Sequence, residues 1–216
     1  MRRLTRPHKP LIYIFCEGES EQQYARFLRQ QFMDAAVLKC ASKTGLFDFA
    51  ADKFVKDAKY RDSLPVTDEI WFFFDVEDFD QDKWDSRYEI IKKLRRLRKS
   101  PTIRVRLLMT RACVEYWFLL HYEKVAPPIA TPADKERILK RLQRFVPDYQ
   151  KGAAQPIWTI GSFYTEAVQN SGQVLASLLP EGLPSLEETD ERNRWLVHCG
   201  KTFSTVQDAL NYLESL

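Results

Sequence analysis

Two stretches of the chain are apolar without interruption and a third nearly so, and between them apolar residues recur every three to four positions. Residues 11–16, LIYIFC, are rich in β-formers and lie between Pro10 and Gly18. Such a run is how a strand buried on both faces of a parallel sheet reads, and the pattern predicts the central strand there. Ser20, with Gln23 three residues on, marks a helix start, and Tyr24, Phe27, Leu28 and Phe32 follow at helical spacing. Residues 36–41 read as a weaker strand and 46–60 as a helix, before the break at Pro65. Residues 70–74 are a second buried strand that stops at an acidic cluster.

Residues 82–99 predict an amphipathic helix, with Ile90, Ile91, Leu94 and Leu97 on its apolar side and Pro101 beyond its end. In 103–109, Ile103, Val105 and Leu107 alternate with Arg104 and Arg106, which predicts a strand nearer the sheet edge. Residues 114–122 are almost wholly apolar and predict a buried helix, closed by the loop through Pro127 and Pro128. The remainder reads as helical at about 133–145, 164–179 and 203–216. Repeated strand–helix alternation specifies an α/β fold, a mainly parallel sheet flanked by helices. With 216 residues, 44% of them hydrophobic and 29% charged, the chain can bury a full core. It is expected to be a single unit over 1–216, with a core of about 9–125 and a helical C-terminal portion of about 130–216.

Charge narrows the function classes. The 33 basic residues exceed the 30 acidic ones by only +3, so the chain is no polycation, and any contact with nucleic acid must come from local patches. Cys16, Cys40, Cys113 and Cys199 stand far apart, which excludes a zinc knuckle or disulfide framework and suits the reduced thiols of a cytoplasm. The N-terminus MRRLTRPHKP is basic, but the apolar run after it breaks at Glu17, too soon for a signal peptide or a membrane span. A soluble, cytoplasmic protein with no membrane partner is expected.

Carboxylates gather where the two strong strands end. Glu17, Glu19 and Glu21 follow the first, and Asp75, Glu77, Asp78 and Asp80 follow the second. Ligands bind at that edge of open α/β sheets. If the strands are neighbours, about 5 Å apart, Glu17 and Asp75 converge. Converging carboxylates repel one another and bind protons more tightly unless a hard cation such as magnesium neutralises them. Glu19 fits a first helical turn, Glu21 divides evenly between that role and the site, and Asp80 and Asp82 suit the cap of the next helix. Glu115 is either a further metal or water ligand or a first-turn carboxylate. His121 lies about 120° around the helix from Glu115, so the two cannot face one ion. A hydrogen-bonded structural role is expected for it, with proton transfer as the functional alternative. His8 and His198 have no recognisable partners, and neither a catalytic triad nor a Gly-rich phosphate loop is present.

Residues 92–106 hold Lys92, Lys93, Arg95, Arg96, Arg98, Lys99, Arg104 and Arg106 and no acid. That density can grip phosphates, or it can be the solvated face of the helix. Arg111 is a further candidate for a phosphate contact. A second basic segment carries Lys140, Arg141 and Arg144, and beyond it Tyr149 beside Lys151 could stack a base and hold its phosphate, or simply end a helix.

The stretches IFCEGESE, FFFDVEDFD, CVEYWFLLHYE and VPDYQKG, in that order over residues 11 to about 152, resemble the RloB family. That family is similar in its core to the Toprim domains of topoisomerases, primases and OLD-type nucleases. The resemblance implies a Toprim-like (Rossmann-like) fold and a magnesium- or manganese-dependent nuclease that hydrolyses phosphodiesters of RNA or DNA. It also implies an anti-phage or abortive-infection effector with a defence-system partner protein. Glu17 matches the family's lone catalytic acid, Asp75 and Glu77 its metal-binding pair, and Asp78 the adjacent acid. The chain departs from the pattern at Glu77, where the family has aspartate, which opens the ligand role to Asp78. It departs again at Thr110, Arg111 and Ala112, where the family has a Ser, Asn, Pro turn. Two other readings stay open: a nucleotidyl or phosphoryl transferase with the same acidic site, and a non-catalytic Toprim-like subunit of a defence complex.

Overall fold

The computed structural model describes residues 9–216, so the basic segment 1–8, His8 included, lies outside the described residues. Strands β1 (Leu11–Cys16), β2 (Val37–Cys40), β3 (Thr67–Val76) and β4 (Arg104–Arg111) form one all-parallel sheet in the order β2-β1-β3-β4. The helices preceding or following them are α1 (Glu19–Gln31), α2 (Phe47–Lys56), α3 (Ala58–Arg61), α4 (Trp84–Arg95) and α5 (Val114–Leu119). The remaining helices are α6 (Pro132–Leu142), α7 (Ala154–Gly161), α8 (Tyr164–Ser177), α9 (Asp190–His198) and α10 (Val206–Glu214).

Unbroken apolar strands need cover on both sides, and alternate side chains find it in two cores. Ile12, Ile14, Trp71, Phe73 and Leu108 face a layer built from α1, α5, α6, α7, α8 and α10. Tyr13, Phe15, Phe72, Phe74, Leu107 and Met109 face α2, α3, α4 and α9. The C-terminal helices therefore complete both cores of the sheet. Truncating one of these fully buried aromatics, such as Phe73→Ala, would cost about 3–5 kcal/mol.

Several boundaries differ from the sequence pattern for local reasons. The helix expected over 46–60 breaks at Asp57, whose backbone is extended and whose side chain accepts from the Lys59 N–H. Helix α1 starts at Glu19 with Gly18 as its cap, so Ser20 lies inside the first turn and not at the cap. Helix α6 starts at Pro132, with the Thr131 hydroxyl accepting from the Asp134 N–H. Helices α7 and α9 were not apparent in the pattern.

The alternation in β4 predicted an edge strand with one polar face. Its outer edge is free of further strands, yet Arg106 is buried, and residues 203–205 close the edge. Thr110 and Ser204 form an antiparallel bridge, the Arg111 N–H donates to Phe203 O at 3.0 Å, and the Thr205 N–H donates to Met109 O at 2.8 Å. The helix expected over 203–216 accordingly begins only at Val206. All four cysteines are free, and no helix among the described residues is long and apolar enough to cross a membrane.

Candidate active site

Strands β1 and β3 are direct neighbours, with Cys16 opposite Phe73. The ladder runs one residue past the strand, since the Glu17 N–H donates to Phe73 O at 3.0 Å. The Glu17 carboxylate then accepts the Asp75 N–H at 2.9 Å. Strand periodicity puts Asp75 on the side of Trp71 and Phe73, the side covered by α1 and α5. There it meets Glu21 from the first turn of α1 and Glu115 from the first turn of α5. These acids line a cleft of about 370 Å³ together with Lys151.

Two glycines shape the cleft. A Cβ on Gly18 would lie 2.7 Å from Glu21 Oε2, so any side chain there would displace that carboxylate from its place in the cleft. Gly152 has a φ of +75°, and its N–H donates to the Ser20 hydroxyl at 2.9 Å, which ties the segment carrying Lys151 to α1. Lys151 Nζ stands 3.5 Å from Glu115 Oε1, which also accepts from the Tyr149 hydroxyl at 3.0 Å.

Burial dominates the electrostatics. It raises the affinity of Glu17 for a proton even though the Asp75 N–H favours the ionised form. Glu21 is raised to about 7, by burial first and then by the charges of Glu17 and Glu115. Asp75 is raised well above the carboxylate range, again by burial first and then by Glu21, Glu17 and Glu115. Burial opposes the charge on Lys151, but Glu115 more than offsets this and raises it. Asp75 Oδ1 is buried and has no hydrogen-bond partner.

Of the acids expected from the sequence, Glu17, Asp75 and Glu115 come together, and Glu21 joins them. Glu77 and Asp78 are not among the residues lining the cleft. Glu77 pairs with Lys135 on α6 at 2.6 Å, and Asp78 pairs with the buried Arg111. Arg111 therefore holds a carboxylate of its own chain. Asp80 accepts the Glu77 N–H at 2.9 Å and pairs with Arg87 at 2.8 Å, in keeping with a capping role. Between β4 and α5, Ala112 has a φ of +68°, a left-handed conformation that strains any residue but glycine; its N–H donates to Val76 O at 2.9 Å.

Most cations of the basic stretch are engaged within the chain. Arg106 is buried between Trp71 and Tyr212 and pairs with Glu69 at 3.1 Å and Glu188 at 2.7 Å. Arg104 shares Glu188 at 2.8 Å, Arg95 grips Asp190 through two bonds of 2.7 Å, and Lys92 pairs with Glu89. Lys93 and Arg96 are exposed near the end of α4. Arg104 starts β4, seven residues before Arg111, which is about 23 Å along a strand from the carboxylate end. Most of these cations thus serve ion pairs at the far end of the sheet.

Tyr149 is buried against Glu115 and stacks on no exposed face. His121 is also buried: Nδ1 lies 3.0 Å from Trp117 O and Nε2 lies 3.1 Å from the Tyr24 hydroxyl. Burial lowers its pKa to about 3, which keeps it neutral as a hydrogen-bonded histidine of the core.

Among the described residues no three His, Cys, Asp or Glu side chains form a ready-made ligand cage. Magnesium does not require one, because it keeps several waters and takes only one or two protein carboxylates. The partnerless Asp75 Oδ1, amid hard oxygen donors whose charges repel, fits such an ion.

A family model described as RloB-like protein matches residues 12–187. No curated protein and no solved structure shows a significant match.

Proposed function

The chain belongs to the RloB-like family, and from that premise we propose that it is a Toprim-type, magnesium- or manganese-dependent endonuclease that hydrolyses nucleic-acid phosphodiesters. The observation that carries this reading is the convergence of Glu17, Glu21, Asp75 and Glu115 on one cleft, with Asp75 Oδ1 buried and unpartnered. Asp75 and Glu17, with Glu21 and Glu115 beside them, are the residues that would hold the cation. When bound, the ion would polarise a phosphoryl oxygen and make water a better nucleophile.

The chain's own groups supply the rest. The Asp75 N–H holds Glu17 in place. The Lys151 side chain is 69% exposed, so its ammonium can leave Glu115 and meet a phosphate oxygen as negative charge develops there. Tyr149 and the Gly152 N–H fix the two ends of that lysine's turn. Action in the cytoplasm as an anti-phage or abortive-infection effector, with a defence-system partner protein, follows the family premise.

The test incubates the purified protein with total RNA, plasmid and single-stranded DNA in magnesium or manganese, beside Glu17→Ala and Asp75→Ala. Metal-dependent cleavage by the wild type, lost in both variants, is expected. Equal cleavage by all three proteins would overturn the site assignment. Consumption of a nucleoside triphosphate without cleavage would favour the transferase reading. Metal binding without either activity would favour the non-catalytic one.

A further inference from the structure

A second cleft lies apart from the carboxylates and has the opposite charge. It encloses about 500 Å³ between α6 and the segment 123–128. Arg137, Lys140, Arg141 and Arg144 line it against only two acids, Glu123 and Asp134. These four cations stand at intervals of three, one and three residues, which places them along a single face of α6 and the turn that ends it. Like charges stacked this way weaken a helix. Glu123 offsets Arg141, Asp134 offsets Arg137 and Glu136 offsets Lys140, but among the described residues Arg144 has no carboxylate partner. The surplus charge faces solvent.

An aromatic surface lies beside it. Phe145 stacks on Tyr122 with ring centres 4.9 Å apart and planes 7° apart, yet it stays 46% exposed. Phe163, also exposed, leans on the other ring of that pair at 5.6 Å. A flat ring with one face covered and the other open, next to an unpaired arginine, suits an unstacked base and its phosphate. A base pair within a duplex offers no free face for that contact.

We infer that this cleft binds a single-stranded segment of nucleic acid, with a base on Phe145 and backbone phosphates along Arg137, Lys140 and Arg144. The same helix carries Lys135, whose ammonium holds Glu77 beside the carboxylate cleft. From Lys135 to Arg144 is nine residues, about 14 Å of helical rise. The bound segment would therefore flank the bond that is cut. This link rests on the phosphodiester reading proposed above, whereas the binding itself does not.

The experiment measures fluorescence anisotropy in EDTA, where no cleavage occurs, with short labelled single-stranded RNA, single-stranded DNA and duplex DNA. Wild type is compared with Arg144→Gln and Phe145→Ala. Single strands are expected to bind more tightly than duplex, and the RNA and DNA arms show which backbone is preferred. Phe145→Ala should weaken binding about tenfold, the scale of one lost base stack. Arg144→Gln should reduce the slope of log affinity against log salt by about 0.7, as expected for one lost phosphate contact. Single-strand affinity unchanged in both cleft variants, or no binding to any strand, would overturn the inference. Binding that depends on the cleft, in a protein that cleaves nothing, would sustain it while removing the nuclease reading.

Discussion

The Glu17 carboxylate accepts the backbone N–H of Asp75 at 2.9 Å, so the acid that ends β1 sets the position of the acid that ends β3. Glu17→Gln keeps a carbonyl acceptor in that place, whereas Glu17→Ala removes it. Urea unfolding should show the alanine variant less stable than the glutamine variant by about 1 kcal/mol. Both should lose the proposed metal-dependent cleavage, because an amide carbonyl lacks the negative charge with which a carboxylate holds a divalent cation. A fully active glutamine variant would dismiss Glu17 as a ligand.

Asp75 is a half-buried acid with its Oδ1 enclosed, and its charge is opposed by its surroundings. Asp75→Asn should therefore raise the melting temperature in EDTA at neutral pH and abolish the stabilisation by manganese that the proposed site predicts for the wild type. A variant less stable in EDTA, yet still stabilised by manganese, would contradict this.

Stability without metal should depend on pH through Glu21. Its folded-state pKa is raised from the ordinary 4.5 to about 7, so the folded protein keeps a proton that the unfolded chain has released. More protons bound when folded means that stability falls as pH rises from about 4.5 to about 7, by at most about 3 kcal/mol. Glu21→Gln should flatten that decline in EDTA melts at stepped pH. An equally steep decline in the variant would place its origin elsewhere.

Arg106→Ala should cost about 3–5 kcal/mol, because it strands Glu69 and Glu188 without their cation. Denaturant midpoints measure this. Lys93→Ala and Arg96→Ala, at the exposed end of α4, should leave both stability and oligonucleotide affinity within error of wild type. A clear loss of affinity in either would restore the basic stretch as a binding surface.

Ala112→Gly should stabilise the protein by up to about 1 kcal/mol, since glycine adopts a φ of +68° without strain. Thermal melts of the two proteins decide the sign. A less stable glycine variant would mean that unfolded-chain entropy outweighs the relieved strain.

The sheet was legible because burial on both faces leaves no polar position in β1 or in the middle of β3, and few other structures tolerate that. The neighbouring acids were legible for the same reason, as charges can follow such strands only at their ends. Glu21 could have been assigned from its spacing to Tyr24, Ala25 and Leu28, which puts it on the buried face of α1. The fate of Arg106 could not, because its partner Glu188 is 82 residues away. Helix α7 is obscured by Pro156 within it and Gly161 at its end, and α9 by its polar first half. Tyr149 looked like a stacking residue because its partner, Glu115, lies 34 residues earlier in helix α5.

The cover that residues 203–205 place along β4 governs how copies of the chain can meet. One rim of the sheet has no spare backbone groups along its final turns of ladder, and the opposite rim, β2, is only four residues long. Strand exchange between molecules thus finds little to grip. A protein cut before residue 203 would bare an apolar rim and should scatter light as it aggregates, while the uncut protein stays clear.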